Sequence, residues 1–167
     1  MYEVGEYIVH PGQGVCRVDE VVEVPQQTYM LMPIGGRQSV RISFPVASEA
    51  RLRPVVSHDE AQALIDGYDE MDMVEYRGRS ASLEEEFFRT EIKNGSCRDT
   101  MAVVKTFRAR IEEVKSRNKK PPLAYERILK QARERSLLEL SVALDMSVED
   151  VVALFEANGN ASCASQN

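Results

Sequence analysis

Tyr7-Ile8-Val9-His10-Pro11-Gly12-Gln13-Gly14-Val15-Cys16-Arg17-Val18 decides how the first third of this 167-residue chain folds. A run of strand-favouring residues breaks at Pro11 to Gly14 and resumes at once as a second such run. Pro11 presets φ for a turn, Gly12 and Gly14 admit backbone angles closed to other residues, and the flanking Val, Ile and Tyr suit a pleated sheet. Working outward, strands are predicted over 7–9, 15–24, 28–33, 39–44 and 51–55, separated by turns at Pro25-Gln26-Gln27, Gly35-Gly36 and Pro45. Five short strands with tight connections predict a small SH3- or Tudor-like barrel over residues 1–55, too small for a roomy enzyme pocket.

From Ser57 the hydrophobic period becomes helical. Ser57 and Glu60 have capping-box spacing, and Leu64, Ile65, Tyr68 and Met71 fall on one face of the helix that follows. A second helix is predicted over 83–93 with Leu83, Phe87, Phe88 and Ile92 inward and a stop at Asn94-Gly95. A third begins at Ser96 and Asp99 and carries Met101, Val104, Phe107, Ile111 and Val114. Residues 117–122 read as a basic loop, with Pro122 in the first turn of a helix over 123–144. Met146-Ser147 opens a last helix, 148–157. The fold class is therefore α+β: a small β-domain, 1–55, followed by a compact all-helical domain, 56–159, and a short polar tail, 160–167, expected to be disordered.

Hydrophobic content of 43% and charged content of 29% are those of a folded soluble protein. No apolar run approaches a membrane span of about 18 residues, and the N-terminus has no basic-then-apolar leader. Cys16, Cys97 and Cys163 are odd in number and far apart, which argues against a disulfide framework and for a reducing cytoplasm. The net charge of −6 is unevenly spread: residues 76–136 carry all 16 bases that lie beyond residue 58, and seven acids with no base fill 59–75. Such a block either forms a polyanion-binding surface or solvates helix faces.

Enzyme chemistry finds little support. There is no phosphate loop of the Gly-x-x-x-x-Gly-Lys kind, and Gly12-x-Gly14 is not followed by a helix. His10 and His58 have no evident acid or nucleophile beside them, the cysteines and histidines lack zinc spacing, and the acids of 59–75 lack calcium-loop spacing. No cofactor or metal is expected. Residues 140–156 admit a helix-turn-helix reading, but the would-be recognition helix carries Glu149, Asp150 and Glu156 and no base, so phosphates would repel it; two packed helices are the better reading. The candidates for DNA phosphate are Arg77 and Arg79 beside a helix start, Lys93 at a helix end, Lys119 and Lys120 in the basic loop, and Arg127, Lys130 and Arg133, recurring at i, i+3 and i+6. Phosphate contact releases counterions but carries no base information.

Several segments, in order and spacing, resemble the CarD/CdnL-like family of bacterial RNA polymerase-binding regulators. These are Val4 to Pro11 with Gly14-Val15, Tyr29 to Pro33, Ser39 to Pro45, Lys93 to Ser96, and Ala132-Arg133 with Glu139-Leu140. The likeness covers about residues 2–145 and is strongest in the β-domain. It implies a Tudor-like domain that binds the polymerase β subunit through Ser39 and Arg41. It also implies a helical domain that contacts promoter DNA near the upstream fork of the bubble, weakly and without strong sequence specificity. Open-complex stability would be modulated thereby, with the oligomeric state left open. Many relatives wedge a tryptophan into the minor groove; this chain has none, and Tyr76 is the nearest aromatic, since Phe87 and Phe88 have core spacing. A basic side chain sometimes found after the second strand is replaced by Val24. On its own chemistry Arg41 is either a solvated strand arginine or a bidentate partner for a carboxylate, and its strand could add to a partner's sheet. The competing reading is a protein-interaction module without direct DNA binding.

Overall fold

The computed structural model describes residues 1–36 and 40–158. Ser39, Gly159 and the 160–167 tail lie outside them. The chain divides into two compact units, Met1–Val56 and Ser57–Asn167.

In the first unit, strands β1 (Tyr7–His10), β2 (Gly14–Val22), β3 (Thr28–Pro33), β4 (Ile42–Pro45) and β5 (Arg53–Pro54) form one antiparallel sheet in the order β4-β3-β2-β1-β5. The opening motif is the β1–β2 hairpin, with His10 opposite Gly14. Gly14 has φ 76, a left-handed conformation that glycine adopts without a Cβ penalty. The His10 Nδ1 accepts the N–H groups of Gly12 at 3.1 Å and Gln13 at 3.2 Å, satisfying turn donors that the sheet cannot. Alternation along the strands turns Ile8, Cys16, Val18, Tyr29, Leu31 and Phe44 to one core, to which Leu52 adds. The ladder is open, running from β4 to β5 without the two ends pairing among the described residues.

Three of the strands differ from expectation by two residues or more at an end. The strand predicted over 15–24 stops at Val22. Pairing predicted from residue 39 begins only at Ile42, and Val40 is 58% exposed. Residues Val46–Arg51 form a 3₁₀ turn closed by the Leu52 N–H on the Glu49 carbonyl, which leaves only Arg53–Pro54 for the last strand.

The second unit holds α1 (His58–Asp66), a 3₁₀ turn (Tyr68–Glu70), α2 (Ala81–Asn94), α3 (Cys97–Ser116), α4 (Leu123–Leu144) and α5 (Val148–Ala157). Serines start four of the helices: Ser57, Ser80, Ser96 and Ser147 accept the N–H groups of Glu60, Leu83, Asp99 and Asp150. At Ser96 the box is reciprocal, Asp99 accepting the Ser96 N–H at 2.9 Å. Helix α4 packs against each of α1, α2, α3 and α5. The buried set includes Ile65, Tyr68, Phe88, Ile92, Met101, Phe107, Ile128, Leu140 and Phe155. Two side chains depart from prediction. Leu83 is 48% exposed and Glu84 takes the inner position, while Pro122 serves as the N-cap of α4 instead of entering its first turn. Among the described residues, no helix is long and apolar enough to cross a membrane.

Candidate nucleic-acid face and the Arg41 cluster

Between the 3₁₀ turn and α2, residues 71–80 follow an irregular path, so their backbone groups need partners from elsewhere. One face of α3 supplies them. Lys105 Nζ donates to the carbonyls of Tyr68 at 3.3 Å, Asp69 at 2.6 Å and Met71 at 2.6 Å. The Val74 N–H donates to Thr106 Oγ1 at 2.8 Å. Arg110 Nη2 donates to the Val74 carbonyl at 3.3 Å and also to the Tyr76 carbonyl. From α2, Glu84 Oε1 accepts the Gly78 N–H at 3.0 Å. A Cβ at residue 78 would lie 2.9 Å from Glu84 Cγ, so this close approach requires glycine.

Arg110 and Glu84 are both 5% exposed at the side chain and face each other at 3.5 Å. The guanidinium also lies 5.0 Å from the Phe107 ring centroid and 5.4 Å from that of Phe88, an environment in which π-faces attract a cation. Burial pulls the Arg110 pKa below its ordinary value and neighbouring Arg77 adds to this, with Glu84 opposing. The Tyr125 hydroxyl is pushed up by burial and by its hydrogen bond with Glu84. Sequence reasoning missed this pair. The available signal was Thr106 and Arg110, two polar residues i, i+4 apart on a helix whose inward positions are otherwise largely apolar.

The segment carries three of the sequence candidates. Tyr76 stacks on Phe87 with ring centroids 3.8 Å apart and 19° between planes, and meets Phe88 edge-on at 6.0 Å. Edge contacts continue from Phe88 to Phe107 and Tyr125. Tyr76 nevertheless keeps 38% of its surface exposed. Arg77 and Arg79 are exposed beside it. Arg77 reaches Glu113 at 3.7 Å, and Arg117, absent from the sequence candidates, reaches the other oxygen of the same carboxylate at 2.9 Å. Lys119 and Lys120 follow Arg117 in an exposed loop tied to the end of α3, with Asn118 at φ 55 and the Lys119 N–H on the Val114 carbonyl at 3.2 Å.

The other candidates do not join this face as one stripe. Six residues of helix leave 133 roughly 120° from 127, and the side chains diverge accordingly. Arg127 is held by both oxygens of Glu85, at 2.8 and 3.0 Å, and this hydrogen-bonded pairing keeps the Glu85 carboxyl below its usual range. Lys130 and Arg133 instead line an α3–α4 groove of about 450 Å³ with Arg108 and Ile111. Lys93 is exposed at the end of α2, where its carbonyl accepts from Arg135 at 3.2 Å.

Glu113 holds two exposed arginines, Arg77 and Arg117, so its carboxylate competes with any anion for them. Glu113→Gln removes the competing charge, so affinity for fork-junction DNA is expected to rise about two- to fivefold at low salt, the scale of an exposed ion pair. Fluorescence anisotropy checks this; equal or weaker binding would separate Glu113 from the DNA face.

In the first unit, Arg41 lies just before β4 with its side chain 52% exposed. Its guanidinium approaches Asp19 at 3.3 Å and Glu20 at 3.7 Å, and Asp19 also takes Arg17 at 2.7 Å. The two arginines and two acids therefore form one charge cluster on the sheet.

Residues 2–56 match the sequence model of the CarD-like/TRCF RID domain. The N-terminal unit is thus a CarD-like RNA polymerase-interacting domain, and this match ends where the helical unit begins. No curated protein matches the chain.

Proposed function

We propose that the chain is a cytoplasmic, non-enzymatic bacterial transcription regulator. Its N-terminal unit, in a Tudor-like role, docks on the polymerase β subunit through Ser39 and Arg41. Its helical unit contacts promoter DNA near the upstream fork of the bubble and modulates open-complex stability. The observation that carries the DNA half is the pinned segment 71–80, which offers a half-exposed aromatic on an aromatic base with Arg77 and Arg79 alongside. A stacked ring suits an opened base step, and flanking guanidinium groups suit the phosphates. Polymerase tethering supplies a high effective concentration, so weak intrinsic DNA affinity suffices.

Reversing the charge of Arg41 tests the docking half. The side chain is exposed, so Arg41→Glu leaves the fold intact, but it adds a third acid to Asp19 and Glu20 and opposes a partner carboxylate. Recovery of polymerase β in a pull-down is expected to fall at least about tenfold, the scale of a docking ion pair turned into a repulsion. Equal recovery by the folded variant removes Arg41 from the interface. The DNA half is tested by titrating fork-junction DNA at several salt concentrations, where binding that ignores salt would contradict phosphate contact. A second reading, an interaction module without DNA contact, draws on the carboxylates that already hold Arg77, Arg117 and Arg127. It predicts no salt-dependent DNA binding at all.

A further inference from the structure

Arg77, Arg117 and Arg127 are held by carboxylates at the surface of the helical unit, whereas Arg110, buried among aromatic rings, holds backbone. Arg110 Nη2 takes two carbonyls of the same irregular segment, Val74 and Tyr76, which bracket residue 75 and stand immediately before Arg77. Glu84 then takes the Gly78 N–H on the far side of Arg77. Tyr76 and Arg77 are therefore clamped at both ends from inside the bundle, by two side chains that solvent scarcely reaches. A carbonyl or an amide fixed in this way fixes where the attached side chain leaves the backbone. Burial keeps Arg110 itself from touching a phosphate.

We propose that Arg110, with Glu84, is the positioning residue of the DNA face. It sets the direction of Tyr76 and Arg77 without touching the ligand, so that the stacked ring and the guanidinium arrive together at an opened base step and its phosphate. This rests on the DNA-binding reading and adds to it the device that makes the face specific for distorted over regular duplex: a ring held at a fixed angle fits an unstacked step and meets closed stacking elsewhere. The guanidinium serves its three partners from two nitrogens, Nη2 on both carbonyls and Nη1 toward Glu84, whereas a lysine brings a single nitrogen on a shorter side chain to all three.

The chain has no tryptophan, so Tyr76→Trp places a sole indole reporter on this face. In that full-length background, Arg110→Lys keeps the charge but loses the fork. Acrylamide quenching of the introduced indole is expected to rise about twofold with the helical circular dichroism retained, as the segment loses one charged hydrogen-bonding anchor. In the chain otherwise unchanged, Arg110→Lys is expected to lose about tenfold in affinity for a fork junction, the scale of a lost charged hydrogen bond. Affinity for uniform duplex should change by less than about twofold, since phosphate contacts dominate there. Arg77→Ala should lower the slope of log affinity against log salt by about one, and because Arg110 acts through Arg77, adding Arg110→Lys to Arg77→Ala should lower it no further. Glu84→Gln keeps an oxygen for the Gly78 N–H and should lose less than Arg110→Lys, which keeps the test alive where the lysine variant folds poorly.

A folded Arg110→Lys with unchanged indole quenching and unchanged fork affinity overturns the proposal, as does a double variant Arg77→Ala, Arg110→Lys with a salt slope below that of Arg77→Ala alone, which would make Arg110 a direct contact. If the starting protein shows no fork binding at any salt, the DNA-binding reading fails, and the positioning of Tyr76 for DNA fails with it while the quenching result still reports the clamp. Loss of fork preference in Arg110→Lys, with no fall in salt slope beyond that of Arg77→Ala, supports it.

Discussion

Tyr76→Ala is expected to shorten the lifetime of promoter open complexes by roughly five- to hundredfold while leaving polymerase recruitment unchanged. The range follows from about 1–3 kcal/mol for one base–aromatic contact, converted at about 1.4 kcal/mol per tenfold, for a contact that forms only after the DNA has melted. The structure gives the ring a reason to act in this way: Phe87 supports it from behind at 3.8 Å, and 38% of its surface stays exposed. Tyr76→Trp should preserve or lengthen the lifetime, because the larger face covers more of a base. Decay of complexes challenged with competitor separates lifetime from recruitment. Identical decay for the alanine variant and the parent would reduce Tyr76 to a packing residue over Phe87.

The largest loss of stability is expected from Arg110→Met, about 3–5 kcal/mol. That substitution leaves the Glu84 carboxylate buried without its cation and strips two carbonyls of their donor. Adding Glu84→Gln to it should recover more than half of the loss, since the neutral amide still accepts the Gly78 N–H and no charge remains uncompensated. Urea unfolding of the full chain, followed by the helical far-ultraviolet signal, measures both. A cost below about 1 kcal/mol for the single variant, or strictly additive effects, would mean that the pair is not coupled.

Much of the scaffold was legible because the signals were local. The Pro11 to Gly14 turn, the serine caps and the 3.6-residue apolar spacing each act within a few residues, so helix α4 (Leu123–Leu144) and helix α5 (Val148–Ala157) have the predicted bounds. The edges of the sheet were less legible. Val40 and residues 51–55 had strand-like composition, but pairing depends on what lies opposite, and 46–51 instead closed a 3₁₀ turn next to the buried Leu52. In the helical unit the apolar rule placed Leu83 inside, whereas the buried position belongs to Glu84, whose partner is 26 residues away. Charge composition located the basic block but not its internal pairing. The i, i+4 spacing of Glu113 and Arg117 is a local signal, but nothing local announces that Arg77 joins them or that Arg127 is engaged by Glu85.

Helix α4, which touches α1, α2, α3 and α5, is also among the last parts of its unit to be made. On the ribosome, α1, α2 and α3 emerge with their apolar faces waiting for a partner still to be synthesised, while every strand of the first unit is already available. The nascent chain therefore exposes the Phe88 and Phe107 surfaces until α4 has cleared the exit tunnel. A frameshift or stop before residue 144 would release a folded polymerase-docking unit joined to an unfinished bundle, a species able to occupy the polymerase while lacking an ordered second half.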